Sequence, residues 1–153
     1  MKKLLTVISL ALLSCSIWAQ GGKDAVTMLK GMGSTRVEFT VQGRIGVADI
    51  QYPCFMVMLS DMHIYGDGKS MWVHNLDDGE VIVSKEILDG LIGDSVLSKD
   101  AKGRQTVVFN GPDGDNVSLV VTSMEKVAKP WEASHFTLDV EKLPDDVIVT
   151  DLR

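Results

Sequence analysis

From Val37 to the C-terminus the chain is a succession of short apolar runs, each closed by a turn signal. That spacing leaves little room for long helices and points to strands joined by tight turns. Val37-Glu38-Phe39-Thr40-Val41 alternates apolar and polar residues, as a half-buried strand does. Arg44 to Ile50 is a weaker strand pattern, whereas Phe55 to Leu59 is apolar on both faces and requires cover on both. His63 to Tyr65 and Met71 to His74 flank Gly66-Asp67-Gly68-Lys69, a hairpin signal. With Asp67-Gly68 as the turn pair, Ile64 falls opposite Met71 and His63 opposite Trp72. One hairpin face then carries Met62, Ile64, Met71 and Val73, and the other His63, Tyr65, Ser70 and Trp72. Glu80 to Ser84, Gln105 to Phe109, Val117 to Met124, Phe136 to Val140 and Val147 to Val149 complete the strand expectations. The fold class expected is mainly β (α+β): one curved antiparallel sheet with one or two covering helices.

Two stretches carry a helical spacing instead. Ala25, Met28, Leu29 and Met32 share one helix face, with Gly31 and Gly33 ending it. Ile87, Leu88, Leu91 and Ile92 form a second stripe, interrupted by Gly90 and Gly93. Each interior glycine costs about 1 kcal/mol relative to alanine, so the second helix is expected to be short, weak and lid-like.

Residues 1–19 have the three-part layout of a secretory leader: Lys2 and Lys3, an apolar run from Leu4 to Leu13, then small and polar residues to Ala19. The run is too short for a permanent span, which needs about twenty residues. Two cleavage routes are open. Cutting after Ala19 releases a soluble product, whereas Leu12-Leu13-Ser14-Cys15 resembles a lipobox, which would tether the protein to a membrane through a lipidated Cys15. The residues after the leader, 20–153, suffice for a single domain. A domain of that size needs no disulfide, and Cys54 is expected to be a small buried hydrophobe. The whole chain carries −6, and Lys2 and Lys3 leave with the leader, so the remainder carries about −8. An acidic surface repels phosphate backbones, and nucleic acid is not expected as a partner.

The polar motifs do not assemble a catalytic centre. Gly93-Asp94-Ser95-Val96-Leu97 resembles the nucleophile block of GDSL-type hydrolases. It sits mid-chain, however, and its nearest approach to a late Asp-x-x-His is Glu132-Ala-Ser-His135. Asp113-Gly114-Asp115-Asn116 lacks the ligand ladder of a calcium loop and suits a turn. His63, His74 and His135 show no zinc spacing. No enzyme activity, cofactor or metal is expected. What remains is an apolar surplus rich in methionine, at Met28, Met32, Met56, Met58, Met62, Met71 and Met124. Methionine packs around irregular or exchangeable partners. Such a surplus fills a core, or it lines an apolar cleft for an acyl chain.

The order of parts is similar to the outer-membrane lipoprotein carrier (LolA) family. The resemblance rests on the leader, a short helix, a Val-x-Phe strand, a Gly-led strand and a Pro-led apolar strand. Its most specific block is Asp67-Gly68-Lys69-Ser70-Met71-Trp72, within Ile64 to His74. Ser134 to Asp139 and the ending Val147 to Arg153 also resemble the family. Membership implies an unclosed half-barrel that shields lipoprotein acyl chains during transit through the periplasm, with lipids, lipoproteins and membrane proteins as partners. Val37, Phe39, Val41, Phe55, Val57, Met58 and Trp72 are the expected lining, and Ile87, Leu88, Leu91 and Ile92 the expected lid. The chain departs from the family in lacking about forty residues after the hairpin. It also has no arginine beside Tyr52-Pro53, so no switch residue carries over. The alternatives are an exported interaction module with a filled core and, if Cys15 is lipidated, a membrane-anchored lipoprotein acceptor.

Overall fold

The computed structural model describes residues 30–86, 95–110 and 116–153. These residues form a mainly β structure with one sheet of ten strands. In chain order the strands are β1 (Ser34–Val41), β2 (Arg44–Gln51), β3 (Cys54–Met58), β4 (Met62–Gly66), β5 (Ser70–Asn75), β6 (Glu80–Lys85), β7 (Ser95–Lys99), β8 (Gln105–Asn110), β9 (Asn116–Lys126) and β10 (Ile148–Asp151). Across the sheet they run β10-β6-β5-β4-β3-β2-β1-β9-β8-β7. Every pairing is antiparallel except β10 on β6. The outermost strands β7 and β10 do not pair, so the sheet is open.

Local chemistry accounts for most of this meander. In β1, Val37, Phe39 and Val41 are buried while the strand's polar positions alternate outward through Glu38, the period of two read from the sequence. Gln42 (φ 50°) and Gly43 (φ 76°) turn the chain directly into β2. Two central residues with positive φ match the twist of the flanking strands. β2, the weaker pattern in the sequence, is paired on both sides, and from Ala48 to Ile50 it is buried without a break.

The β4–β5 hairpin forms with a register two residues away from the expected one. Tyr65 pairs with Trp72, Ile64 with Val73 and His63 with His74. The cause is Asp67, whose carboxylate accepts hydrogen bonds from the backbone N–H of Lys69 and Ser70 at 2.9 and 2.8 Å. This moves the central pair of the turn to Gly68-Lys69, with Gly68 at φ 91°. A shift of two preserves the side-chain parity, so the two hairpin faces are composed as expected.

One further strand expectation is corrected. Phe136 to Val140 is not a strand: Ala133–Phe136 and Val140–Lys142 are 3-10 turns, joined by extended residues. The Val147–Val149 segment becomes the parallel edge strand β10. Ser95–Lys99, which carried no strand expectation, is edge strand β7, paired with β8. No helix of seven or more residues occurs among the described residues. The leader and Cys15, most of the first helical stripe, and the lid residues Ile87, Leu88, Leu91 and Ile92 lie outside them.

Candidate functional site

Directly paired residues of neighbouring strands share a sheet face, so the register assigns every strand side chain to one of two sides. On the first face an unbroken apolar row crosses five strands: Val37, Ala48, Val57, Ile64 and Val73. All five are buried, with exposures of 0–4%. Phe39, Val41 and Phe55 lie on the same face. Two glycines shape it. A Cβ at Gly46 would run into the Phe39 ring and lie 2.8 Å from Leu59 Cδ2, and a Cβ at Gly66 would run into the Phe55 ring. Each ring therefore lies across the neighbouring strand, in space that a side chain there would need.

Five of the seven expected lining residues thus meet on this face: Val37, Phe39, Val41, Phe55 and Val57. Met58 and Trp72 do not join them; both lie on the second face. Trp72 belongs to a separate apolar cluster with Val81 and Val83, covered by Tyr65, Leu138, Val140, Leu143 and Val147. The chain from Val127 to Val147 is the strap that provides this cover. It leaves β9 with Val127 N–H donating to Ser34 O and enters β10 with Ile148 N–H donating to Gly79 O.

The strap is fastened at two polar points. Gln51 holds the backbone of Trp131, donating through Nε2 to its carbonyl (3.1 Å) and accepting its N–H at Oε1 (3.0 Å). Ser34 Oγ donates to the same Oε1 at 2.5 Å. Beside it, Asp49 is fully buried. Its carboxylate accepts from Arg36 Nε at 2.6 Å and Arg36 Nη2 at 2.9 Å, and sits 2.8 Å from His135 Nε2. The His135 ring stacks on Trp131, with centroids 5.4 Å apart and planes 7° apart, and meets Phe136 edge-on. The sequence held one signal for this lock: Asp49 is a lone carboxylate in the apolar stretch Val47 to Ile50, and a buried charge requires a partner.

Burial alone would raise the Asp49 pKa. The hydrogen bonds and charges of Arg36 and His135 outweigh it and hold the carboxyl below its usual range, while the Asp49 hydrogen bond raises the Arg36 guanidinium. A carboxyl whose folded-state pKa is depressed contributes stability that is fully present above the unfolded value, about 4. That contribution is lost as pH falls through the lower folded value. Stability is therefore expected to drop on acidification below about pH 4, and an Asp49→Asn variant should show a flatter acid limb in urea titrations at stepped pH. Equal acid limbs would mean that other carboxyls set the profile.

Arg36 spans both Asp49 carboxylate oxygens. Among the described residues no hydroxyl or thiol hydrogen-bonds to the His135 ring, whose Nε2 is engaged by Asp49. Cys54 is half-buried, and burial, with the charge of Asp67, pushes its thiol pKa up, away from the reactive thiolate.

No family model and no curated protein matches the sequence. Among solved structures the chain is similar to an uncharacterized conserved protein from Thermus thermophilus, with a TM-score of 0.52 and 9% sequence identity. The alignment covers 84% of this chain and 98% of that one. At that identity the likeness shows a shared fold and nothing of function.

Proposed function

We propose that this protein is an exported, non-enzymatic lipid-binding protein of the lipoprotein-carrier kind, which holds an acyl chain against the first face of its open sheet. The observation that carries the reading is the apolar row Val37-Ala48-Val57-Ile64-Val73, uninterrupted by any polar side chain. Strands lie about 4.8 Å apart, so the row extends for about 19 Å, the length scale of a long acyl chain. Burying such a chain is worth about 0.8 kcal/mol per methylene, which is why a lipid anchor needs a shield to cross water. The Phe39 and Phe55 rings, lying over glycines, are the groups that would move to admit it. The leader-like residues 1–19 and the resemblance of Asp67 to Trp72 to the LolA family support a periplasmic site of action.

One observation favours a second reading. The row is already closely packed, at 0–4% exposure, as the filled core of an interaction module would be. Titrating the leader-free protein with a fluorescent fatty acid separates the two. The carrier reading expects saturable uptake of one chain per protein, displacement by unlabelled fatty acid, and a Tm that rises with lipid concentration. An unchanged Tm with no saturable uptake would leave the interaction module as the function.

A further inference from the structure

We infer that Met58, His63 and His74 form a binding site for a soft transition-metal ion, with copper(I) as the preferred occupant. The three residues are consecutive members of one cross-strand row. Met58 of β3 pairs with His63 of β4, and His63 pairs with His74 of β5. All three therefore project from the second sheet face, side by side on adjacent strands. The flanking hydrogen bonds set their spacing. Leu59 N–H donates to Met62 O and Leu76 N–H to Asp61 O. The Met58–His63 pair is then a non-hydrogen-bonded one, with Cα atoms about 4.5 Å apart, and His63–His74 a hydrogen-bonded one, with Cα atoms about 5.5 Å apart. Side chains as long as histidine and methionine, rooted at such distances, can reach one ion between them with metal–ligand bonds of about 2.0–2.3 Å.

Accessibility and bonding are also those of a ligand set. All three residues are half-buried, so an ion can reach them from solvent. Among the described residues neither the His63 nor the His74 ring makes a hydrogen bond or ion pair, and their ring nitrogens are uncommitted. The ring contact at this site is His63 edge-on to Tyr65, with centroids 6.4 Å apart. His135 is the contrast: its Nε2 is engaged by Asp49.

The donor types select the ion. Two imidazoles and a thioether suit copper, while calcium and magnesium demand oxygen ligands. Val47 and Val81 bracket the row and supply none. Met56, two residues back on the same face of β3, places a second thioether within about 7 Å along the strand. Neither zinc spacing nor a His/Cys/Asp/Glu cluster marks this site, because its ligands come from three strands and one of them is sulfur.

The test uses the leader-free protein under anaerobic, reducing conditions, competing for copper(I) against bicinchoninate. The expected result is one copper(I) per chain. His63→Gln and His74→Gln should each weaken binding at least tenfold, and Met58→Leu should weaken copper(I) more than copper(II). His135→Gln and Cys54→Ser should leave the affinity unchanged. A readout on the unsubstituted protein guards against misfolded variants: silver(I), a diamagnetic stand-in, should shift the NMR signals of the His63 and His74 rings and the Met58 methyl, and leave His135 in place. No transfer of copper from the chelator would overturn the inference. So would uptake that disappears in Cys54→Ser while the His63 and His74 variants retain it.

Discussion

Replacing Asp49 by alanine is expected to destabilise the protein by about 3 kcal/mol, at the lower end of the 3–5 kcal/mol typical when one partner of a buried ion pair is removed. Asp49 is fully buried, but the side chains of Arg36 and His135 are 45% and 30% exposed. Without the carboxylate, both can turn toward water rather than remain buried without a partner. That relief is why the upper end is not expected. The loss should appear as a lower urea midpoint at an unchanged m-value. It should also be local, because Asp49 joins the sheet to the strap through His135. Amide exchange and proteolysis between Val127 and Val147 should accelerate more than in the β3–β5 strands. A cost below about 1 kcal/mol, well under the usual range for such a pair, or a uniform loosening of the whole sheet, would show that Gln51 and the Trp72 cluster hold the strap without the ion pair.

The second large effect concerns the rings over glycine. Phe55→Ala should cost about 3–5 kcal/mol, the usual range for deleting a buried aromatic side chain. Gly66→Ala should cost about 1–3 kcal/mol, because its Cβ would collide with the Phe55 ring and force overpacking. The two changes compensate in the double variant. With the ring gone, the alanine methyl enters vacant space and fills part of the cavity. The double variant should therefore be more stable than the sum of the single losses predicts, by about 0.5–3 kcal/mol, as is usual for residues in contact. Strict additivity in urea unfolding would mean that the Phe55 ring escapes Gly66 by changing rotamer. The same freedom bears on acyl binding, because a ring that moves at little cost opens the face more readily.

The lining was partly legible in the sequence, and the reason is parity. Alternation identified Val37, Phe39 and Val41 as one face of β1, and the apolar run identified Phe55 and Val57 in β3. Met58 and Trp72 also lie in apolar runs, yet periodicity within one strand says nothing about which side faces which core. Only pairing decides that, and pairing sends Met58 and Trp72 to the second face, where the strap covers the Trp72 cluster. The C-terminal segment departs from its strand-like pattern for a related reason. Phe136, Leu138 and Val140 alternate like a strand, but the segment crosses over a sheet face and has no strand edge to pair with, so it forms 3-10 turns instead.

By itself the sequence determined the mainly β class, the turn signal around Gly68, and the composition of the hairpin faces. All of these rest on forces between residues a few positions apart: β propensity, period-two burial and the φ that glycine permits. Tertiary structure alone decided the β4–β5 register, the order of strands across the sheet, the parallel docking of β10 and the partners of Asp49. Asp49 and His135 are separated by 86 residues, and Gln51 and Trp131 by 80. No local pattern encodes such contacts. They exist because the strap lies over a face built by several strands and buries there a carboxylate that can be ionised only if Arg36 and His135 reach it.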